Sequence, residues 1–149
     1  MMLTKRDIIV ASVTFGMTMT FFIANSKIKN LDSSIYDWET MAVKETKTGA
    51  VRTIFRSPTA TLDELECHIT TLNPGEASHP PHKHPEEEIL IVKEGTVEAL
   101  VNGTSKRVGA GSVIFQAANQ MHAIRNTGTT PATYHVFSWH SPGTMRTSK

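Results

Sequence analysis

The chain has 149 residues, 39% of them hydrophobic and 19% charged, with a formal net charge of +1. That length suits one domain with a real core, and the balance excludes a disordered tail or a fibre. No basic stripe marks a nucleic-acid surface, and a single cysteine, Cys67, excludes an internal disulfide or a multi-cysteine metal site.

Residues 1–26 are set apart from the domain. Lys5 and Arg6 precede Ile8–Ala24, a run of seventeen residues without a charge. A basic start, an apolar run and the small pair Ala24 and Ser26 describe an export signal cleaved before Lys27. The run is also at the lower edge of membrane-spanning length, so an uncleaved anchor is a second reading. An amphipathic or buried helix of the domain is a third. The stretch Thr4–Ile9 loosely resembles a twin-arginine signal, with Lys5 where the first arginine would stand. The expectation is an exported protein, periplasmic or extracellular, or one held at a membrane through this segment alone.

Residues 27–49 form a polar lead-in around Ile35, Tyr36 and Trp38. Residues 50–141 then read as short β runs: Ala50–Arg56, Leu62–Leu72, Glu87–Glu94, Thr96–Val101, Ser105–Val108, Ser112–Gln116, Met121–Asn126 and Ala132–Trp139. Turn signals separate them, among them Asn73-Pro74-Gly75, Glu94-Gly95 and Gly109-Ala110-Gly111. Asn102-Gly103 between two β runs predicts a two-residue hairpin of type I′. Short strands at even spacing with no helical period predict an all-β sandwich or barrel. Residues 142–149 are a tail.

Three of the seven histidines fall within six residues, in His79-Pro80-Pro81-His82-Lys83-His84. In an extended chain residues i and i+2 share a face, so His82 and His84 point together, and Glu88 has the same parity. Two imidazoles and a carboxylate suit a divalent transition ion such as Fe, Mn, Ni or Zn. One strand leaves a side of the ion open. His122, which follows the turn Ala117–Gln120 and leads another β run, is the candidate fourth ligand.

The spacing of these residues resembles the two motifs of the cupins. Gly75, six residues, His82-x-His84, three residues, Glu88, six residues and Gly95 match the first. Gly111, five residues, Ala117-x-Asn119, two residues, His122, three residues and Asn126 match the second, with Ala117 in place of proline and Asn119 in place of the turn glycine. Asparagine is the non-glycine residue that best accepts a left-handed turn, so the turn is expected to survive. The resemblance covers Leu62 to Trp139. It implies a double Greek-key jelly roll with one metal ion in its mouth, held by His82, His84, Glu88 and His122, and a homodimer.

Strand parity with the ligands turns Leu90, Val92 and Ile124 inward, and Phe115, His135 and Phe137 are further candidates for a substrate pocket. His79 is expected at the rim. Glu86 shares the parity of Glu88 and is the candidate substitute ligand or general base, whereas Glu87 is expected to face away. His68 is read as a hydrogen-bonded strand residue rather than a ligand. An ion with open positions would take a bidentate oxygen ligand, so the first expectation is a metal-dependent enzyme on a small organic molecule, oxygenase-like or isomerase-like. A non-catalytic module binding a sugar or small acid is the second, and an accessory protein that keeps the site is the third.

Overall fold

A computed structural model describes residues 29–143. Nine strands follow one turn of 3₁₀ helix at Trp38–Thr40: β1 (Lys44–Thr46), β2 (Gly49–Ser57), β3 (Glu64–Leu72), β4 (Glu87–Glu94), β5 (Thr96–Val101), β6 (Thr104–Gly109), β7 (Val113–Gln116), β8 (His122–Asn126) and β9 (Ala132–His140). They form a six-stranded sheet in the order β1-β2-β3-β9-β4-β7 and a three-stranded sheet in the order β6-β5-β8. This is an all-β jelly roll of two sheets. No helix among the described residues is long and apolar enough to cross a membrane, and the apolar run Ile8–Ala24 lies outside them.

Period-two alternation builds the core. Leu72, Leu90, Val92, Ile114, Tyr134 and Val136 from the large sheet meet Val97, Ala99 and Ile124 from the small one. Turn chemistry places the strands. Asn102 and Gly103 have φ of 45° and 84° and join Val101 to its partner Thr104, the two-residue hairpin that the sequence predicts. Gly95, at φ +80°, lets β4 turn into β5 where a Cβ would meet the backbone of Ala132 at 2.6 Å.

Two features were not legible as strands or core. β1 lies inside the polar lead-in; all three of its residues are exposed, so no hydrophobic period announces it. Residues 31–38 strap the outer face of the large sheet: Leu31 donates its N–H to the Pro58 carbonyl, Tyr36 packs on Phe55, and the Trp38 ring lies under Arg52 and Lys93. The Cys67 and Ile69 side chains, each 1% exposed, belong to that outer face and are absent from the inner core.

Candidate metal centre

Backbone pairing brings the histidines together. The His82 and His122 backbones exchange N–H···O bonds of 3.0 and 2.9 Å, which docks the segment after Gly75 along β8. The His84 carbonyl accepts from the Asn119 N–H at 2.7 Å, and Asn119 sits at φ +60°, the left-handed turn expected of it. One ring nitrogen from each of His82, His84 and His122 then lies within 4.8 Å of the other two.

The protons on these rings are assigned by their neighbours. His122 Nδ1 donates to the Gln120 carbonyl at 2.8 Å and His82 Nδ1 to the Pro80 carbonyl at 3.1 Å, since a carbonyl only accepts. His84 Nδ1 lies 3.1 Å from the Glu86 carboxylate. His82 and His122 therefore carry a proton on Nδ1, which leaves the Nε2 of each as the nitrogen free to ligate. His84 Nε2 and His122 Nε2 are only 3.1 Å apart. Burial lowers the His122 pKa; its bond to Gln120 raises it, and His84 and His82 lower it further, so near neutral pH that ring has no proton to place in the gap. Three ring nitrogens converging on one point fit a divalent cation, with nitrogen donors of intermediate softness.

The carboxylates stand differently from the expectation. Glu88 reaches to 3.4 Å from His84 Nε2, yet the mutually close set contains the three histidines without it. Glu88 is thus beside the triad rather than part of its tightest cluster. Glu86 is corrected more strongly. Its oxygens lie 3.1 Å from His84 Nδ1 and 2.8 Å from Nε2 of the buried His140, both off the line of an ideal hydrogen bond. It approaches Nδ1 of His84, so it lies behind that ring and outside the convergent set, not beside its shared point as expected. Burial alone would raise its carboxyl; a backbone hydrogen bond and the His140 and His84 rings outweigh this and hold it below the usual carboxylate range. Glu87, expected to face away, accepts the Trp139 indole N–H at 3.1 Å on the outer side.

The triad opens on a cavity of about 190 Å³, walled by Leu90, Ile124 and Val136 and carrying the polar side chains of His68, Thr70, Ser78, Gln116 and Tyr134. Leu90 and Ile124 are placed as parity predicts, while Val92 lies deeper in the core, outside the cavity wall. His79 is at the rim, lining both this cavity and an open outer groove of about 670 Å³. Burial, then His82, lowers its pKa. Phe115, His135 and Phe137 do not face the cavity. Ile114 and Gln116 take the inner face of β7 and leave Phe115 50% exposed; Tyr134, Val136, Ser138 and His140 take the inner face of β9.

Sequence reasoning missed His68, Gln116 and Tyr134 as cavity residues. His68 Nδ1 is 3.1 Å from Glu66, so the ring nitrogen left for the cavity is Nε2. The Tyr134 hydroxyl shares the cavity wall with Ser78 and Thr70, and burial pushes its pKa up to about 12, which keeps it a neutral donor. The available signal was the alternation of β9, which groups Tyr134 with Val136.

A family model of the cupin domain matches residues 68–138. The chain contains a cupin domain. Solved cupins share its fold: an RmlC-like cupin from Shewanella frigidimarina is 15% identical with a TM-score of 0.61, over 74% of this chain and 94% of that one. A predicted oxalate decarboxylase from Thermotoga maritima is 20% identical with a TM-score of 0.60, over 72% and 99%. The cupin domain of Schizosaccharomyces pombe Cnp3 is 13% identical with a TM-score of 0.60, over 74% and 78%. No curated protein matches the sequence. Likeness at these identities establishes the fold and leaves the chemistry to the site.

Proposed function

We propose that this cupin is a metal-dependent enzyme acting on a small oxygen-rich molecule by proton transfer, an isomerase-like reaction. The observation that carries the reading is the convergence of three imidazole nitrogens on a cavity that also holds an acid–base pair, His68 with Glu66, and a neutral hydroxyl, Tyr134. A divalent ion held by His82, His84 and His122, with Glu88 beside them, would polarise a carbonyl or hydroxyl oxygen of the ligand. His68 Nε2 is the group placed to take or return a proton, with Glu66 steadying the imidazolium that forms. Tyr134, beside Thr70 and Ser78 in the wall, offers its O–H to a developing negative oxygen. Leu90, Ile124 and Val136 keep that chemistry in an apolar wall. The oxygenase-like alternative makes no use of the His68–Glu66 pair.

Residence in the cell envelope is part of the proposal and rests on residues 1–26; fractionation of expressing cells tests it, and recovery in the cytosol overturns it. The activity is tested by elemental analysis of the purified protein and of His82→Ala/His84→Ala, followed by incubation with small 2-hydroxy ketones in D₂O. About one equivalent of metal, absent from the variant, and chelator-sensitive deuterium exchange at carbon are expected. Metal without exchange, accompanied by saturable binding, would instead identify a binding module.

A further inference from the structure

The segment that carries His82 and His84 to the metal centre is longer than the strand it runs beside. It is tied to β8 at two points, Ala77 opposite Arg125 and His82 opposite His122. Three residue steps along β8 are thus spanned by five along the segment, and Ser78–Pro81 arch away from Ala123 and Ile124. Pro80 and Pro81 have no N–H to give to β8, so the arch does not close into a strand. Ser78, His79, Ala123 and Ile124 border both the metal cavity of about 190 Å³ and the outer groove of about 670 Å³, so the two spaces lie on either side of this gap.

The floor of the groove is the outer face of the small sheet. Leu100 is flanked there in register by Ala123 and Ser105, whose short side chains leave a hollow around it. Pro80 and Pro81 line the arch side and are exposed, while Leu100 and Ala123 are half-buried, so all four are open to a ligand. The charged groups are Glu76 and Glu98 against Arg125, whose Nε already donates to the Gly75 carbonyl at 3.0 Å. An anionic group would meet more carboxylate than guanidinium; an uncharged apolar one would meet proline, leucine and alanine. The inner cavity equals roughly six waters' share of liquid volume, room for a head of a few carbons and no more. We infer that the substrate has two parts, an oxygen-bearing head for the metal cavity and an uncharged apolar group, about the size of an aromatic ring, that passes the arch and lies on Leu100 and Ala123. The head rests on the metal reading above; the outer subsite is built from residues outside the histidine triad.

The test is calorimetric titration of the full-length, Zn(II)-loaded protein with lactate, 3-phenyllactate and 2-hydroxyglutarate, which share a 2-hydroxy acid head. Removing a ring from water on the groove floor should make 3-phenyllactate bind about tenfold tighter than lactate or better, and 2-hydroxyglutarate, which brings a second carboxylate, should bind no tighter than lactate. Leu100→Glu should bring the ratio of the first two near one. In wild type, ring-current shifts of the Leu100 and Ala123 methyl resonances are expected with 3-phenyllactate and not with lactate, which places the ring even if the variant fails to fold. Equal affinities for lactate and 3-phenyllactate overturn the inference, as does an unchanged ratio in a folded Leu100→Glu. So do unmoved methyl resonances at saturation, a preference for 2-hydroxyglutarate, or binding of none of the three acids. With metal bound, each of these results removes the outer subsite and leaves the metal reading standing; absence of bound metal overturns both.

Discussion

Replacing His84 with alanine separates the two roles that its ring plays. In wild type, metal at one hundred times its dissociation constant stabilises the native state by about 2.7 kcal/mol, because the unfolded chain has no assembled triad. For a chain of this length one kcal/mol moves Tm by about 2–4 °C, so the rise on loading is expected to be about 5–11 °C. His84→Ala removes the central nitrogen, the one 3.1 Å from His122 Nε2 and 3.4 Å from Glu88. Two imidazoles remain, and the rise should all but vanish together with the bound metal. Without metal the substitution has opposing effects. It loses the contacts of a partly exposed ring with Glu86 and His122, worth about 1 kcal/mol, but frees a crowded cluster of polar groups, so the metal-free Tm should change by a few degrees at most. Thermal melts with and without Zn(II), beside elemental analysis, measure all four states. An equal metal-induced rise in the variant would refute the triad. A large loss confined to the metal-free state would mean that His84 is a packing residue.

Gly95→Ala should cost roughly 2–5 kcal/mol, since it combines a left-handed φ with a Cβ 2.6 Å from Ala132 Cα; urea melts giving under ~1 kcal/mol would show that the turn adapts. Metal-free stability should fall as pH drops below 6.5. Burial first lowers the pKa values of His79, His122 and His135 from 6.5, so the unfolded state takes up protons at higher pH than the folded one, and the stability present above 6.5 is lost toward the folded values. A urea midpoint at pH 5.5 equal to or above that at pH 7.5 would contradict this. Cys67, 1% exposed and with a thiol pushed up to about 11 chiefly by burial, should resist iodoacetamide at pH 8 until the protein is unfolded; prompt labelling of the native state would show that the strap over the sheet opens.

Local chemistry in the sequence was enough for much of this molecule. β4 and β5 have the predicted bounds because alternation and the turn residues Glu94-Gly95 and Asn102-Gly103 act over a few residues. Asn119 takes its left-handed turn for the same reason, and His82, His84 and His122 meet at one point, as their spacing and resemblance implied. The faces of β7 and β9 were a different matter. Both carry apolar side chains on alternate positions, Ile114 against Phe115 and Val136 against Phe137, so composition does not say which set is inside. Register against neighbouring strands decides it: Glu88 opposite Gln116 and Leu90 opposite Val136 turn Gln116, Tyr134 and Val136 into the cavity and leave Phe115, His135 and Phe137 on the outer face. His68 enters the cavity through its pairing with Val136. Glu86 was misread because nearness in sequence does not say which nitrogen of His84 a carboxylate will meet. The candidate triad is legible in spacing along the chain; the shape of the cavity and the place of Gln116 on its wall exist only once sheet register has brought distant strands side by side.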